Sequence, residues 1–486
     1  MPTDFQRAEL SAAAGGEHAQ PPANDRREIF GWIMYDWANS AFYTTVLSAL
    51  LGPYLTILAQ REVGENGAVF DPGLGQWSVV TAKSFFTQCV VVAVASQVFL
   101  LPVLGAVADY SHLKKRMMMV FCYSGVVATC LLFFVTGRLY VLGGLLFIVA
   151  NVCFGAAIVL YNAFLPEITT EDLRDKVSSR GFAWGYMGGG LLLLLNFALV
   201  AQAPRLFAPL GLGEGDAKEL AVRLSLLSAG VWWGGFSIVT FARLKARAPA
   251  RSLPEGKGYL TVGVKELFST FRELARLRHT LRYLVGYLFY NDGIQTVISA
   301  SSVFLSQELF ISRGLPNNPA FLLGILLMVQ FVAFFGSLLF ERVARLTGTK
   351  KAILISLVVW SGIVIYAYGF FRTTTQAWVM GGLIGLVIGG SQALSRSLFS
   401  RMIPRGREAS FFGIYEISER GTSWLGPQVF SIVVATTNSY RNAILSLIAF
   451  FIVGMLVLLF TDTDRAVHES GNALPEEAKE TMDAER

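Results

Sequence analysis

The sequence predicts an all-α polytopic membrane protein of twelve transmembrane helices, set out as two six-helix bundles related by pseudo-two-fold symmetry. Three observations predict it. The 486 residues are 53% hydrophobic and 15% charged, with a mean hydropathy of +0.52, too apolar for an ordinary soluble enzyme. Twelve apolar stretches are long enough to cross a bilayer core of about 30 Å and fall into two sets of six. The first stretch of each set carries the same polar stripe: Asp36, Asn39, Ser40 and Tyr43 recur in Asp292, Gln295, Thr296 and Ser299 at i, i+3, i+4 and i+7, one face of a helix.

In chain order, residues 1–28 are rich in Ala, Gly, Pro and charge and lack the apolar core and cleavage site of a secretory signal. They read as a disordered cytosolic tail. The first bundle, 29–242, holds spans near 31–59, 79–108, 117–136, 139–161, 181–203 and 221–242. A basic linker, 243–280, follows; in it Val264, Leu267, Phe268, Phe271, Leu274 and Leu277 recur at helical spacing among Lys265, Arg272, Arg276 and Arg278. That pattern predicts an amphipathic helix along the inner leaflet, or else a regulatory or partner-binding helix. The second bundle, 281–460, holds spans near 281–305, 319–341, 352–371, 377–399, 411–436 and 443–460. Residues 461–486 form a polar tail with acidic clusters.

The formal net charge of +6 does not point to nucleic acid, because the basic residues sit in short connections between spans. Lys114, Lys115, Arg116, Arg174, Lys176, Arg180, Arg342, Arg345, Lys350, Lys351, Arg401, Arg405 and Arg407 lie on alternate connections, while Arg138, Arg313, Arg372 and Arg441 are nearly alone on the others. Both termini are therefore expected in the cytosol. Cys89, Cys122, Cys130 and Cys153 all fall inside apolar spans without CxxC or a histidine cluster, so they read as free thiols and no metal site or cofactor is implied. No zinc-ligand spacing, Walker loop or G-x-S-x-G elbow is present, which argues against an enzyme and against ATP-driven transport.

Arg26 and Arg27 mark one interface, so Asp36 lies roughly 13 Å into the core at about 1.5 Å per residue. An intramembrane carboxylate is costly and faces a water-filled cavity or a partner; interhelical packing is the blander account of such a stripe. Asp36 and Asp292 are read as proton-coupling groups. Glu416 is a third candidate, with Glu419 and Arg420 three and four residues on, so that Glu416 and Arg420 could also neutralise each other. Arg396, at the inner end of the tenth span, could pair with one of these glutamates.

Between the second and third spans stands Gly105-Ala-Val-Ala-Asp109-Tyr-Ser-His-Leu-Lys114-Lys115-Arg116. Glycine permits close helix approach, Asp109 can pair with a base or cap a helix N-terminus, and the cations hold the loop at headgroups. In this topology the run resembles the loop signature of the major facilitator superfamily, which latches the two halves closed at the cytosolic side. The equivalent connection of the second half, Glu341 to Lys351, carries Arg345 where Asp109 stands and Glu341 where the glycine stands. Gly31-Trp-Ile-Met-Tyr35-Asp36-Trp37-Ala38-Asn39-Ser40, Tyr161-Asn162-Ala-Phe-Leu-Pro166-Glu167, Tyr290-Asn291-Asp292-Gly293, Gly389-Gly390-Ser-Gln392-Ala-Leu-Ser-Arg396 and Gly406-Arg-Glu408 through Glu416 resemble the vacuole-effluxer branch of that superfamily. This branch contains fungal autophagy-related amino-acid exporters and bacterial permeases. Gly181, Gly185, Tyr186 and Gly189 resemble the antiporter signature of drug and proton exchangers in the superfamily, with Tyr186 in place of a proline, and equally suit plain helix packing.

The resemblance implies a secondary transporter of a small, amino-acid-like solute, exported by alternating access with proton coupling. It further implies a monomer in a bilayer, the cytoplasmic membrane of a bacterium. Asn39, Tyr43, Tyr290, Asn291, Gln295, Thr296 and Gln392 are the expected solute ligands. Gly105, Asp109, Lys114, Lys115, Arg116 and Arg396 are the expected gate. Efflux of cationic or amphipathic compounds stands as an alternative, as does a non-transporting receptor or scaffold of the same fold.

Overall fold

A chain this apolar can satisfy its backbone in lipid only by closing hydrogen bonds within each crossing segment, so the long stretches become helices. The computed structural model describes residues 22–65, 67–73, 79–247, 259–421 and 425–472. Eleven helices in it are long and apolar enough to cross a membrane. They are α1 (Arg26–Val63), α2 (Phe85–Asp109), α3 (Lys114–Phe134), α4 (Gly137–Ile168), α5 (Glu171–Leu206) and α6 (Glu214–Arg243) in the first half. After the linker helix α7 (Tyr259–Arg276) come α8 (Arg278–Leu309), α9 (Pro319–Thr347), α10 (Thr349–Gly369) and α11 (Thr374–Arg401). Two shorter helices, α12 (Glu408–Glu416) and α13 (Leu425–Thr437), stand where the eleventh span is predicted, and α14 (Tyr440–Leu459) completes the second half. A two-strand ribbon, β1 (Ala68–Phe70) with β2 (Val80–Thr81), joins α1 to α2.

Two spans are not regular α-helix throughout. Phe42–Leu50 of α1 is wound as a π-helix, directly ahead of Gly52 and Pro53. Pro53 cannot donate its backbone hydrogen bond, and Gly52 lies so near Phe86 that a Cβ there would come within 2.9 Å of the ring. The second π segment, Ile417–Gly421, follows α12. Such turns concentrate at functional positions.

In the first half α1 packs on α5 and α6, and α3 and α2 pack on α4; in the second, α9 and α10 pack on α11, and α8 packs on α14. The halves meet along α5 with α9 and α11, and along α2 and α4 with α12. Trp32, Trp233 and Trp360 are fully buried in the core.

Both described ends lie on one face, together with the basic connections. Asn24 N donates to Ile168 O at the end of α4, and Lys245 Nζ reaches Asp25 at 2.5 Å. The Lys245 ammonium, with the Arg27 N–H, holds the Asp25 carboxyl below the usual carboxylate range. After α14, Asp462 N donates to His279 Nδ1 and Asn472 Nδ2 donates to Arg401 O and Ile403 O. This is called the basic face below. The C-terminal tail thus begins with an ordered helix, α15 (Thr463–Glu469), capped by Asp462; residues 1–21 and 473–486 lie outside the described residues.

The linker helix forms where its spacing predicts, with one difference. It packs against protein: Gly263 sits on Val103 and Val107 of α2, and Glu266 and Glu273 both pair with Arg407. Only its outer face is open.

Candidate functional site: a buried ion pair between the halves

Five residues from the end of α11, Arg396 is 4% exposed and about 8 Å along the helix from Arg401. A guanidinium at that depth must have its donors satisfied. Its Nη2 lies 3.2 Å from Asp36 Oδ2 and donates to Ser178 O at 3.0 Å. Nε donates to Ser178 Oγ at 3.0 Å, and Nη1 to Asn162 Oδ1 at 3.3 Å. Three rings surround the cation: Phe182 at 4.3 Å, Trp32 at 4.8 Å and Tyr161 at 5.6 Å from Cζ, each face offering attraction to a positive charge. Trp32 is itself fixed by stacking on Tyr161 at 4.3 Å and by donating from Nε1 to Tyr161 O.

The hydrogen-bond and ring partners of Arg396 just named all belong to the other half. Asn162 then passes the contact back, donating from Nδ2 to Glu416 Oε1 at 2.9 Å. Asp36, Arg396, Asn162 and Glu416 therefore form one buried chain that crosses the seam three times. Ser178 Oγ adds a bond to Ala393 O at 2.7 Å, and Tyr186 Oη donates to Gln392 Oε1 at 2.6 Å one layer further from the basic face.

Glycines allow this approach. Gly181 stands against Asp36 and Arg396, with no room for a Cβ beside the Asp36 carboxylate, and Gly185 and Gly189 face Ser40 and Thr44. The glycine series of α5 thus presses on the polar stripe of α1. Ser40 Oγ donates to Asp36 O and Thr44 Oγ1 to Ser40 O; Asn39 is buried, while Tyr43 is 39% exposed and lies within electrostatic range of Tyr186, as does Glu419.

The second stripe meets different surroundings. Asp292 is fully buried and accepts from Gly426 N at 2.8 Å through Oδ2, capping the start of α13. Thr296 Oγ1 donates to Asp292 O, and Asn291 Nδ2 donates to Glu419 O at 3.3 Å. Asn291 and Asp292 thereby hold the π segment after α12 and the start of α13. Gln295 is half-buried and Ser299 is exposed. Tyr290 turns away from the seam and bonds Ser395 Oγ at 2.6 Å within a cluster of Tyr283, Tyr287 and Tyr415.

At the basic face the residues expected to form the gate make the following contacts. Asp109 accepts from Ala409 N at 2.9 Å, Ser410 N at 2.8 Å and Ser410 Oγ at 2.6 Å, capping α12 of the other half. Gly105 lies directly against the Ala409 carbonyl. Lys114 pairs with Glu167 at 2.5 Å, Lys115 is half-buried and Arg116 is exposed. On the symmetry-related side Arg345 is exposed, and the seam is held by Asp175, which takes Arg401 at 2.9 Å and Thr349 Oγ1 at 2.6 Å. Arg174 Nη1 adds a bond to Ser400 O. Asp109→Asn replaces one acceptor with a donor facing N–H groups, a loss of about 1 kcal/mol. Thiol labelling of Ser400→Cys, at a buried position of this face beside Arg174, is expected in this background to speed up several-fold as the basic face opens more often.

Of the residues singled out in the sequence, the structure brings Asp36, Arg396 and Glu416 into one buried chain, with Gln392 one layer away on Tyr186; Asp292, Asn291 and Thr296 lie instead at the contact of α8 with the segment 417–437, and Tyr290 in its tyrosine cluster. Arg396 takes Asp36 rather than a glutamate, and the Arg420 side chain lies outside the described residues. Asn162 and Ser178 carry no charge or motif spacing of their own; Asn162 is visible only within the Tyr161-Asn162 run. Among the described residues no group of three His, Cys, Asp or Glu side chains could hold a metal ion.

Comparison with known proteins agrees with this architecture. The family model described as vacuole effluxer Atg22 like matches residues 24–471. An MFS-type transporter of Bacillus subtilis, YxiO, is 30% identical over 91% of this chain and 97% of its own length. Autophagy-related protein 22-1 of Aspergillus niger is 25% identical over 94% and 91%. Among solved structures, the human organic anion transporter MFSD10 superposes with a TM-score of 0.67 at 14% identity, covering 90% of this chain and all of that one. The major facilitator transporter FucP in its outward conformation gives 0.63 at 11% identity, covering 90% and 99%.

Proposed function

This chain belongs to the vacuole effluxer Atg22-like family of membrane transporters, and on that premise we propose that it exports a small amino-acid-like solute by proton-coupled alternating access. The observation that carries the reading is the Asp36–Arg396 pair buried between the halves. With both termini in the cytosol, the basic face is the cytosolic one and is closed, from Asp109 and Asp175 at the surface to Tyr186 and Gln392 in depth. Opening that face has to part Arg396 from Asp36, Asn162 and Ser178.

Two ligands relieve that separation. A proton on Asp36 neutralises a carboxylate that is otherwise left unpaired in a low-dielectric site. A solute carboxylate takes the place of Asp36 on the guanidinium with the same charge-assisted geometry. Both act on one gate, so each shifts the population on which the other acts. The ammonium end of an amino acid then finds Asp36, Asn39 and the Tyr43 hydroxyl nearby. Export follows the effluxer description of the family, and a carboxylate solute also suits the organic anion named for MFSD10.

The test is thermal stability of the purified protein against amino acids, their methyl esters, dipeptides and cationic drugs at two pH values. A bound solute at 100 times its Kd stabilises by about 2.7 kcal/mol. Free amino acids are expected to raise the midpoint and methyl esters not to. Arg396→Lys should lose the response and Asp36→Asn its pH dependence. Stabilisation by cationic drugs alone would replace this reading with cation efflux, and no shift with any compound would favour a non-transporting membrane protein.

A further inference from the structure

The linker helix α7 is tied to both halves by one carboxylate. Glu266 is 8% exposed; Tyr110 Oη, just after α2, donates to its Oε2 at 3.0 Å, and Arg407, just before α12, pairs with its Oε1. Arg407 is 3% exposed and also pairs with Glu273, with Ser269 Oγ at 3.1 Å and Thr270 Oγ1 at 3.3 Å around it. Two and three residues further on are Ala409 and Ser410, the donors held by Asp109. The helix thus lies across the seam at the point where the basic face is shut.

Its other face points away from protein. Lys265, Phe268, Phe271, Arg272 and Arg276 are exposed, Phe268 by 66% and Phe271 by 46%. The acidic residues of the helix that are described, Glu266 and Glu273, are both turned to Arg407, so the outer face carries cations and aromatic rings without opposing charge. Two phenylalanines three residues apart, flanked by Lys and Arg, suit the boundary between headgroups and acyl chains. We propose that this outer face docks on anionic lipid headgroups of the leaflet at the basic face, and that the docked lipid holds α7 across the seam and stabilises the closed state.

A basic residue beside an anionic leaflet is worth about fivefold in binding. Only the part that differs between closed and open states moves the equilibrium. The expected effect of three cations is a five- to tenfold rise in the closed-to-open ratio, roughly one to one and a half such increments.

The inference rests on the alternating-access reading, and one measurement separates the two. Full-length protein carrying spin labels at His112→Cys and Lys351→Cys, exposed positions on the two halves, is placed in nanodiscs of phosphatidylcholine or of equal parts phosphatidylcholine and phosphatidylglycerol. Two interlabel distances are expected, with the shorter enriched by the anionic lipid. Lys265→Gln with Arg272→Gln and Arg276→Gln should remove the enrichment while leaving the buried ties to Arg407. Glu266→Gln with Glu273→Gln should also remove it, although the outer face is unchanged, because the helix no longer grips the seam. Two distances whose ratio ignores lipid, or a triple variant that responds like the wild type, would overturn the lipid surface alone. A single distance under all conditions would overturn alternating access and this inference together.

Discussion

Arg396→Ala is expected to abolish transport, by at least about a hundredfold, and to lower the thermal midpoint more than any single change at Asp36. Removing the guanidinium leaves Asp36 buried, without the partner that lies at 3.2 Å, and strands acceptors on Ser178 and Asn162. Breaking a buried pair from one side costs about 3–5 kcal/mol, whereas its intact net worth is small. Asp36→Asn is milder, because Arg396 keeps Ser178, Asn162 and three aromatic faces. The asymmetry is the point of the comparison. Asp36→Asn combined with Arg396→Ala should recover much of the midpoint but none of the transport, a non-additive cycle that reports direct coupling. Equal and additive losses would mean that the two residues do not depend on each other.

Gly105→Val has the second largest expected effect. A Cβ at Gly105 would overlap the Ala409 carbonyl and crowd Ser410 Cα at 3.0 Å. These are backbone atoms at the start of α12, and no rotamer moves them aside. Relief comes only from parting α2 and α12, which breaks the three bonds to Asp109. The variant is therefore expected to insert and fold yet stay open at the basic face, with transport reduced at least tenfold. Thiol labelling there should approach its open-state limit. At Gly362, where a Cβ meets nothing, the same replacement should leave labelling unchanged.

Hydropathy makes most of the fold legible, because lipid penalises every unsatisfied backbone group and so converts apolar length directly into helix. Asp109 was readable for a related reason: a carboxylate beside a glycine and a cationic loop has few uses other than a cap or an ion pair. The Asp36 stripe was legible as a helix face. What that face meets was not, since the partner is 360 residues away and its position depends on how the halves close. The duplicated stripe shows the limit well. Asp292 has the spacing of Asp36, but its neighbour is the buried backbone N–H of Gly426 where Asp36 meets a guanidinium. Tyr290 follows the aromatic packing of Tyr283, Tyr287 and Tyr415, a preference that periodicity does not encode.

The short helix α13 bears on how the protein is made. α13 has 13 residues, about 20 Å of helix against a hydrocarbon core of about 30 Å, and so is a poor insertion signal when it leaves the ribosome. Its first N–H groups need the Asp292 carboxylate, which was synthesised some 130 residues earlier and by then resides in the bilayer as part of α8. The final seating of α13 is thus expected to depend on α8, which is made earlier, and on α14, which packs on α8 behind it. Nascent chains stalled before Tyr440 would carry α13 outside its final depth, and in Asp292→Leu chains that displacement would persist after release.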